Sequence, residues 1–301
     1  MACRSVPRGL SAARAIARRH PRARLEVCRL DLASPHSVLE FVAAMEAAQV
    51  PMEDSPSAQD DPVLGSILEQ ATWFEQQPHS LASCGLRPVR FCIAPCPPPE
   101  KLPPLRILVN CAAILPSFPC ILSCGRRSTA VVNSIAPTAL ALCLLPRLAY
   151  NAQHHCGFPS HIITVSSFTH RVASLSESLQ QLKELQQLRS ETFYPAVDYM
   201  SSKLLATVAA QRLHGLYGPH GKRSDTDPES SPPLVQSHAV DPGAMDTKLV
   251  RHWPPWLQRI FRLSTSCLGL LSLPRPAAAA VEAACMAEPS LASQYWFYLW
   301  G

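Results

Sequence analysis

Charge is scarce in this sequence. Only 16% of its 301 residues are Asp, Glu, Lys or Arg, and the net charge is +5. So mild a balance, with no basic motif interleaved with stacking aromatics, gives no reason to expect a nucleic-acid partner. The 12 cysteines form no recognisable disulfide framework, and neither a secretory signal nor an N-glycosylation sequon is present. These absences favour a reducing, intracellular compartment, cytoplasmic or organellar, without deciding between them. Cys92/Cys96 and Cys120/Cys124 have no second pair in a finger pattern, so no metal site is expected, and His154-His155-Cys156 reads as a solvated loop. No apolar run is read as long enough to span a membrane. The longest candidate, around Leu263 to Leu273, is broken by Ser264-Thr265-Ser266 and stopped by Pro274. A peripheral contact through a helix lying on the membrane surface stays open there. No Gly-x-x-x-Gly-x-Gly pattern occurs anywhere.

What is present is core-forming sequence. Apolar residues make up 47% of the chain, enough for a globular protein with a sizeable core. The expected organisation is one domain over 1–301, with a proline-rich insert at 49–104 read as a protruding loop. A helix over 63–74 is the one element expected inside that insert. Leu25 to Leu32 alternates as a strand does. Ser34 is placed to cap a helix beginning at Pro35 and burying Val38, Phe41, Val42 and Met45. Leu105 to Val109 and His161 to Val165 read as strands buried on both faces. Ala130 to Tyr150 is a long apolar helix that Pro137 should bend or shift. Leu175 to Leu188 and Tyr199 to Leu216 are helical, Val235 to Val240 is a strand, Ala277 to Met286 a helix and Tyr295 to Leu299 a last strand. Gly218 to Pro233 is a polar loop. Strands alternating with helices imply βαβ units and a parallel, doubly wound sheet, whose ligands bind beyond the carboxyl ends of the strands.

The residues with chemical promise fall at those ends. Tyr199 and Lys203 are four apart on a helix and share a face. A free phenol has a pKa of about 10, and a lysine ammonium one turn away favours the phenolate. Ser166-Ser167 follows a strand, where a hydroxyl can bond a substrate oxygen. Asn110-Cys-Ala-Ala113 puts small residues after another strand, allowing a flat ligand to approach the backbone. Asn133 opens the long apolar helix, and Asp241-Pro-Gly-Ala-Met-Asp-Thr247 holds a turn that can lie against a ligand. Taken singly each has a bland reading: a surface pair, a loop serine, a buried asparagine satisfying the backbone.

Taken in order, they resemble the short-chain dehydrogenase/reductase superfamily, in its retinol-dehydrogenase-like branch. The resemblance rests on MACR, ARLEVCRLDLASPHSV, ILVNCAAIL, VVNSIAP, IITVSSFTHR, YMSSK and VDPGAMDT, and covers roughly 1–48 and 105–301. It implies a Rossmann-like, doubly wound parallel sheet and an NADP(H)-dependent oxidoreductase interconverting a carbonyl and an alcohol. It further implies Tyr199 as general acid–base and Lys203 as the residue that lowers its pKa and holds the nicotinamide ribose. Ser167 would orient the substrate oxygen, and Asn133 would hold a water linking Lys203 to solvent. Asp31 and Leu32 would sit by the adenine, Asn110 and Ala112 by the adenosine ribose, and Pro242, Gly243 and Thr247 by the nicotinamide. Arg4 would meet a 2′-phosphate, favouring NADP(H) over NAD(H).

The sequence also departs from that pattern. The family's first strand, Gly-rich turn and first helix should precede Met1, which leads to the expectation of an N-terminally truncated sheet with two unpaired edges. Cys111 and Ala113 replace an asparagine and a glycine. Arginines crowd the stretch from Arg4 to Arg29 beside one acid, Glu26, which also resembles an organellar transit peptide. The alternative function is therefore a catalytically inactive, truncated relative that binds another protein through its open edge, or an incomplete gene product. The apolar segment Trp253, Trp256, Leu257, Ile260, Phe261 and Leu263 favours a lipophilic substrate, with core packing the competing reading. Oligomerisation is left open.

Overall fold

The computed structural model describes residues 1–23, 25–46, 90–92, 105–123, 125–152, 159–184, 194–218, 235–243, 248–251, 253–267 and 296–297. Strand β1 (Ala2–Cys3) leads into helix α1 (Val6–Arg19) and then β2 (Glu26–Arg29), which pairs parallel to β1. Pro7 lies in the first turn of α1, and Arg18 and Arg19 in its last turn suit the negative end of the helix dipole. Gly9 sets how closely α1 lies on the sheet: a Cβ there would meet Cys3 Sγ at 2.5 Å and Val27 Cγ1 at 2.6 Å. Helix α2 (Pro35–Glu46) starts as expected, with Ser34 Oγ accepting the Ser37 N–H at 3.3 Å. Val38, Phe41 and Val42 are buried and Met45 packs against them.

The expected loop at 49–104 contains a strand. Residues Arg90–Cys92 form β3, antiparallel to β2 and outside it in the order β1-β2-β3. The four residues of β2 offer backbone edge groups that β3 satisfies, a pairing that the proline-rich composition around this short segment obscures. The helix expected at 63–74 lies outside the described residues.

A second sheet has the order β4-β5-β6-β7, all parallel: β4 (Ile107–Asn110), β5 (Ser160–Val165), β6 (Val235–Asp241) and β7 (Trp296–Phe297). Helix α3 (Ser128–Asn151) joins β4 to β5, and α4 (Leu175–Glu184) and α5 (Pro195–Tyr217) join β5 to β6. β5 and β6 are buried almost throughout, as expected of central parallel strands. The last expected strand is present as β7, whereas the helix expected over 277–286 and most of the 218–233 loop lie outside the described residues.

The two sheets rest on one core. Cys28 and Leu30 join Val38 and Phe41 of α2, Leu140 and Leu144 of α3, Ile162 of β5 and Leu205 of α5 in a single buried cluster. Helices α2, α3 and α5 thus cover one face, while α1 covers the other face of β1 and β2.

Two expectations are corrected here. β4 is not buried on both faces. Leu108 packs against the core, but Ile107 and Val109 on the opposite face are 42% and 43% exposed. The helix layer covers one side of β4 only, and among the described residues β4 pairs with β5 alone and β1 with β2 alone. Nor is the chain without a run of membrane-spanning length. Helix α3 has 24 residues and is apolar enough, but 83% of its most apolar window is buried inside the protein, which makes it the central core helix.

Pro137 acts within α3 by widening it. Residues Val131–Ile135 form a π turn, closed by Ala136 N–H donating to Val131 O. Proline has no N–H to offer the Asn133 carbonyl, so the ordinary ladder is interrupted at Asn133.

Candidate active site

β4, β5 and β6 run parallel in register, Asn110 opposite Thr164 and Val165 opposite Val240, so their carboxyl ends form one rim. Helix α5 rises over that rim with Tyr199 and Lys203 in its early turns, both buried. The Lys203 Nζ donates to the Val165 carbonyl at 2.7 Å, which pins it to the last residue of β5. It stands 5.8 Å from the centroid of the Tyr199 ring.

The serines after β5 divide their work. Ser166 Oγ lies 2.6 Å from Thr207 Oγ1, which itself bonds the Lys203 carbonyl, so this buried pair fastens β5 to α5. Ser167 lies near the Tyr199 phenol, where its hydroxyl favours the ionised form. Its Oγ also caps the following 3-10 turn, accepting the Thr169 N–H at 3.5 Å, and it accepts the Thr169 hydroxyl at 3.1 Å.

Asn133 sits on the π turn and joins three segments. Its Oδ1 accepts the Ile114 N–H at 2.8 Å, and its Nδ2 donates to Ile114 O at 3.0 Å and to Ser202 Oγ at 3.1 Å. Ser202 Oγ in turn donates to the Tyr199 carbonyl at 2.8 Å. Both N–H groups of the carboxamide are used within the protein. Asn110 Nδ2 donates to Pro137 O at 3.3 Å, holding the end of β4 to α3. Ala112 next to it is exposed. On β6, Asp241 is fully buried, Pro242 is buried, and Gly243 has φ 74°, a conformation that favours glycine. The Gly243 N–H donates to Asp241 Oδ1 at 2.9 Å, closing the turn.

Burial dominates the electrostatics. It pushes the Tyr199 phenol up to about 12, with the Ser167 hydroxyl pulling down and the Asp241 carboxylate pushing up. Burial also lowers Lys203 to about 8, opposed by the Cys111 sulfur and by Asp241. The phenol is therefore held protonated, and the lysine keeps its charge up to mildly alkaline pH.

Tyr199, Lys203, Ser167, Asn133, Asn110, Pro242 and Gly243 thus meet at one rim, while Thr247 lies outside the described residues. Arg4, Asp31 and Leu32 sit at the ends of β1 and β2, in the other sheet. Arg4 is exposed. Asp31 Oδ1 accepts the Ala33 N–H at 3.1 Å, and Leu32 packs against the main core. The apolar segment after β6 splits between both readings made of it. Trp253 and Phe261 pack with Leu115, Val250 and Tyr199, whereas Trp256, Ile260 and Leu263 face outward.

Three participants carried no usable sequence signal. Asp241 opens the motif whose Pro-Gly turn and Thr247 point to a ligand, and nothing in the motif signals that its carboxylate is buried beside Tyr199 and Lys203. Ser202 is one position from Lys203, and no local pattern marks it out. Arg127 Nη1 reaches Asp198 Oδ1 at 2.6 Å and Oδ2 at 2.7 Å, a nearly buried ion pair that fixes the start of α3 to the first turn of α5 beside Tyr199.

No family model matches the sequence, and no curated protein does either. Solved structures do match it. The 3-alpha-hydroxysteroid dehydrogenase from Pseudomonas sp. B-0831 complexed with NADH superposes with a TM-score of 0.53 at 17% identity, over 98% of this chain and 91% of that one. The carbonyl reductase Sniffer of D. melanogaster gives 0.51 at 15% identity, over 98% and 82%. An NADPH-bound short-chain oxidoreductase from Pseudomonas aeruginosa PAO1, with an atypical catalytic centre, gives 0.51 at 15% identity, over 98% and 81%. This chain shares their fold. It is a Rossmann-like α/β protein, and the rim that gathers Tyr199 and Lys203 is the edge at which sheets of this class place their ligands.

Proposed function

We propose that this chain is a short-chain dehydrogenase/reductase of the retinol-dehydrogenase-like branch, and that it uses NADP(H) to interconvert a carbonyl and an alcohol on a lipophilic small molecule. The observation that carries the reading is the grouping of the buried Tyr199 and Lys203 with the half-buried Ser167, the lysine 5.8 Å from the tyrosine ring and Ser167 near its phenol.

A phenol held protonated is an acid, so the favoured direction at neutral pH is reduction. A nicotinamide, when bound, would supply the hydride that the carbonyl carbon accepts. Tyr199 gives its proton to the carbonyl oxygen, Ser167 orients that oxygen, and the Lys203 ammonium stabilises the phenolate left behind. Asn133 positions Tyr199 through Ser202. Its main-chain carbonyl, to which Pro137 cannot donate, is the group left to hold a water on the way to Lys203.

The residues at hand fit the nicotinamide end of the cofactor. Gly243 offers a turn without a side chain, Ala112 an exposed small one, and Lys203 a buried cation; Pro242 and Asn110 stand beside them, and Thr247, outside the described residues, is assigned to the same end from the sequence. Arg4, Asp31 and Leu32 are the residues we assign to the adenosine end, with the exposed Arg4 favouring a 2′-phosphate. Trp253 and Phe261 against Tyr199 supply the apolar wall for the substrate.

Titration of NADPH and NADH fluorescence with the purified chain tests this. Saturable binding, tighter for NADPH, is the expected result. A folded sample that binds neither nucleotide would favour the second reading, a non-catalytic binding protein. That reading is supported by Ile107 and Val109, which leave an apolar face exposed on the β4 edge.

A further inference from the structure

Helix α6 (Pro255–Cys267) has two apolar faces, and one helix needs only one to pack. The inner face is accounted for. Phe261 meets Trp253 edge to face, ring centroids 6.0 Å apart, and both lie in the small cluster with Tyr199, Leu115 and Val250. The outer face carries Trp256, Ile260 and Leu263 at positions i, i+4 and i+7, which form one stripe along the helix. They are 63%, 53% and 57% exposed. Single exposed apolar side chains are ordinary on a protein surface, but three large ones in a row mark a contact face.

Within the segment that carries the stripe, the charges are all of one sign. Arg251, Arg259 and Arg262 are exposed, and no acidic residue occurs between Lys248 and Cys267. By helical spacing Arg259 lies at one border of the stripe and Arg262 further round the same side, from where a long cationic side chain can reach back toward that border.

We propose that α6 docks on an anionic lipid surface, with Trp256, Ile260 and Leu263 entering the boundary of the acyl region and the arginines meeting headgroup phosphates. Such a helix, apolar on one side and basic at its border, binds bilayers by both terms together. A second copy of this chain fits the stripe less well, because a two-fold contact would bring Arg251, Arg259 and Arg262 against their own counterparts. Docking there would set the mouth beside Tyr199 against the bilayer, where a lipophilic carbonyl resides. That purpose rests on the reading under Proposed function, whereas the docking itself does not.

Flotation with vesicles of phosphatidylcholine, with and without phosphatidylserine, tests the proposal, and it needs no turnover. The full chain should float with phosphatidylserine-containing vesicles, and Trp emission should shift to the blue. The double variant Trp256→Ser, Leu263→Ser should bind about tenfold or more less. Arg259→Gln with Arg262→Gln should weaken binding to the anionic vesicles roughly 30-fold. All these side chains are exposed, and a melting temperature equal to that of the unmodified chain verifies each fold. The proposal is overturned if the folded chain stays with the soluble fraction at all compositions, or if both variants bind as tightly as the unmodified chain. It is also overturned if the chain forms a dimer that Trp256→Ser disperses. An absence of NADPH turnover alongside normal flotation would remove the catalytic reading and leave the docking standing.

Discussion

Lys203 and Tyr199 stand one helical turn apart with the ammonium 5.8 Å from the ring centroid, yet burial rather than the lysine sets the state of the phenol. A lysine is the usual reason to expect a lowered tyrosine. Here removal of the phenol from water costs the anion more than its neighbours restore, and the buried Asp241 adds to that cost. The pair is therefore an acid–cation pair at neutral pH.

That state has a pH signature. In the proposed mechanism, reduction needs Tyr199 with its proton and Lys203 with its charge. Lys203 titrates at about 8, the lower of the two values, so it sets the alkaline limb. The rate of carbonyl reduction should be level through neutral pH and fall above about 8. Asp241 raises Lys203, so Asp241→Asn should move this limb to lower pH, and Asp241→Glu should largely restore it. A pH–rate profile of Asp241→Asn that falls in height without moving its limb would assign Asp241 to the Gly243 turn alone.

Ser167 lies near the phenol, and the proposed mechanism assigns it to orient the substrate oxygen. Ser167→Ala should lower kcat by about 10²-fold, the cost of one donor to a developing charge, with the melting temperature nearly unchanged. Steady-state kinetics beside a thermal melt separates the two effects.

Arg127 and Asp198 form a different kind of support. Their side chains are mostly buried, and removal of one leaves the other charge without its partner. Arg127→Ala should destabilise the fold by about 3 kcal/mol, measured by urea unfolding. Arg127→Ala combined with Asp198→Ala should be less destabilising than the first change alone.

Acid stability depends on His161. Burial and the nearby Arg106 lower its pKa from 6.5 to about 4, and its ring stacks on His238 at 5.6 Å between centroids. The folded protein therefore binds fewer protons than the unfolded chain between these values. Its contribution is fully present above about 6.5 and is lost as pH falls toward 4. Melting temperatures should drop across that window, and His161→Gln should reduce the drop.

Much of this was legible in local sequence. The Ser34 cap and the spacing of Val38, Phe41 and Val42 defined α2 because both are short-range signals. Tyr199 and Lys203 share a helix face by spacing alone. Non-local relations were not legible. Arg127 and Asp198 are separated by 71 residues, and nothing near either one announces the other. The exposure of Ile107 and Val109 depends on which helix covers which face, so an apolar run read as a doubly buried strand. β3 pairs through backbone groups, and these leave no pattern in a proline-rich segment. α6 carried an apolar run that fitted both a substrate wall and a core. The structure divides it, Phe261 inward and Trp256 outward, because helical phase separates neighbours that sequence lists together.

The most direct test of the catalytic reading is NADPH consumption by the purified chain with a lipophilic ketone or aldehyde, set beside Tyr199→Phe. The expected result is measurable turnover by the unmodified chain and a loss of about 10²–10⁴-fold in the variant, with nucleotide binding retained. Equal turnover by the two proteins, or none by a chain that is folded and binds NADPH, would contradict Tyr199 as the acid.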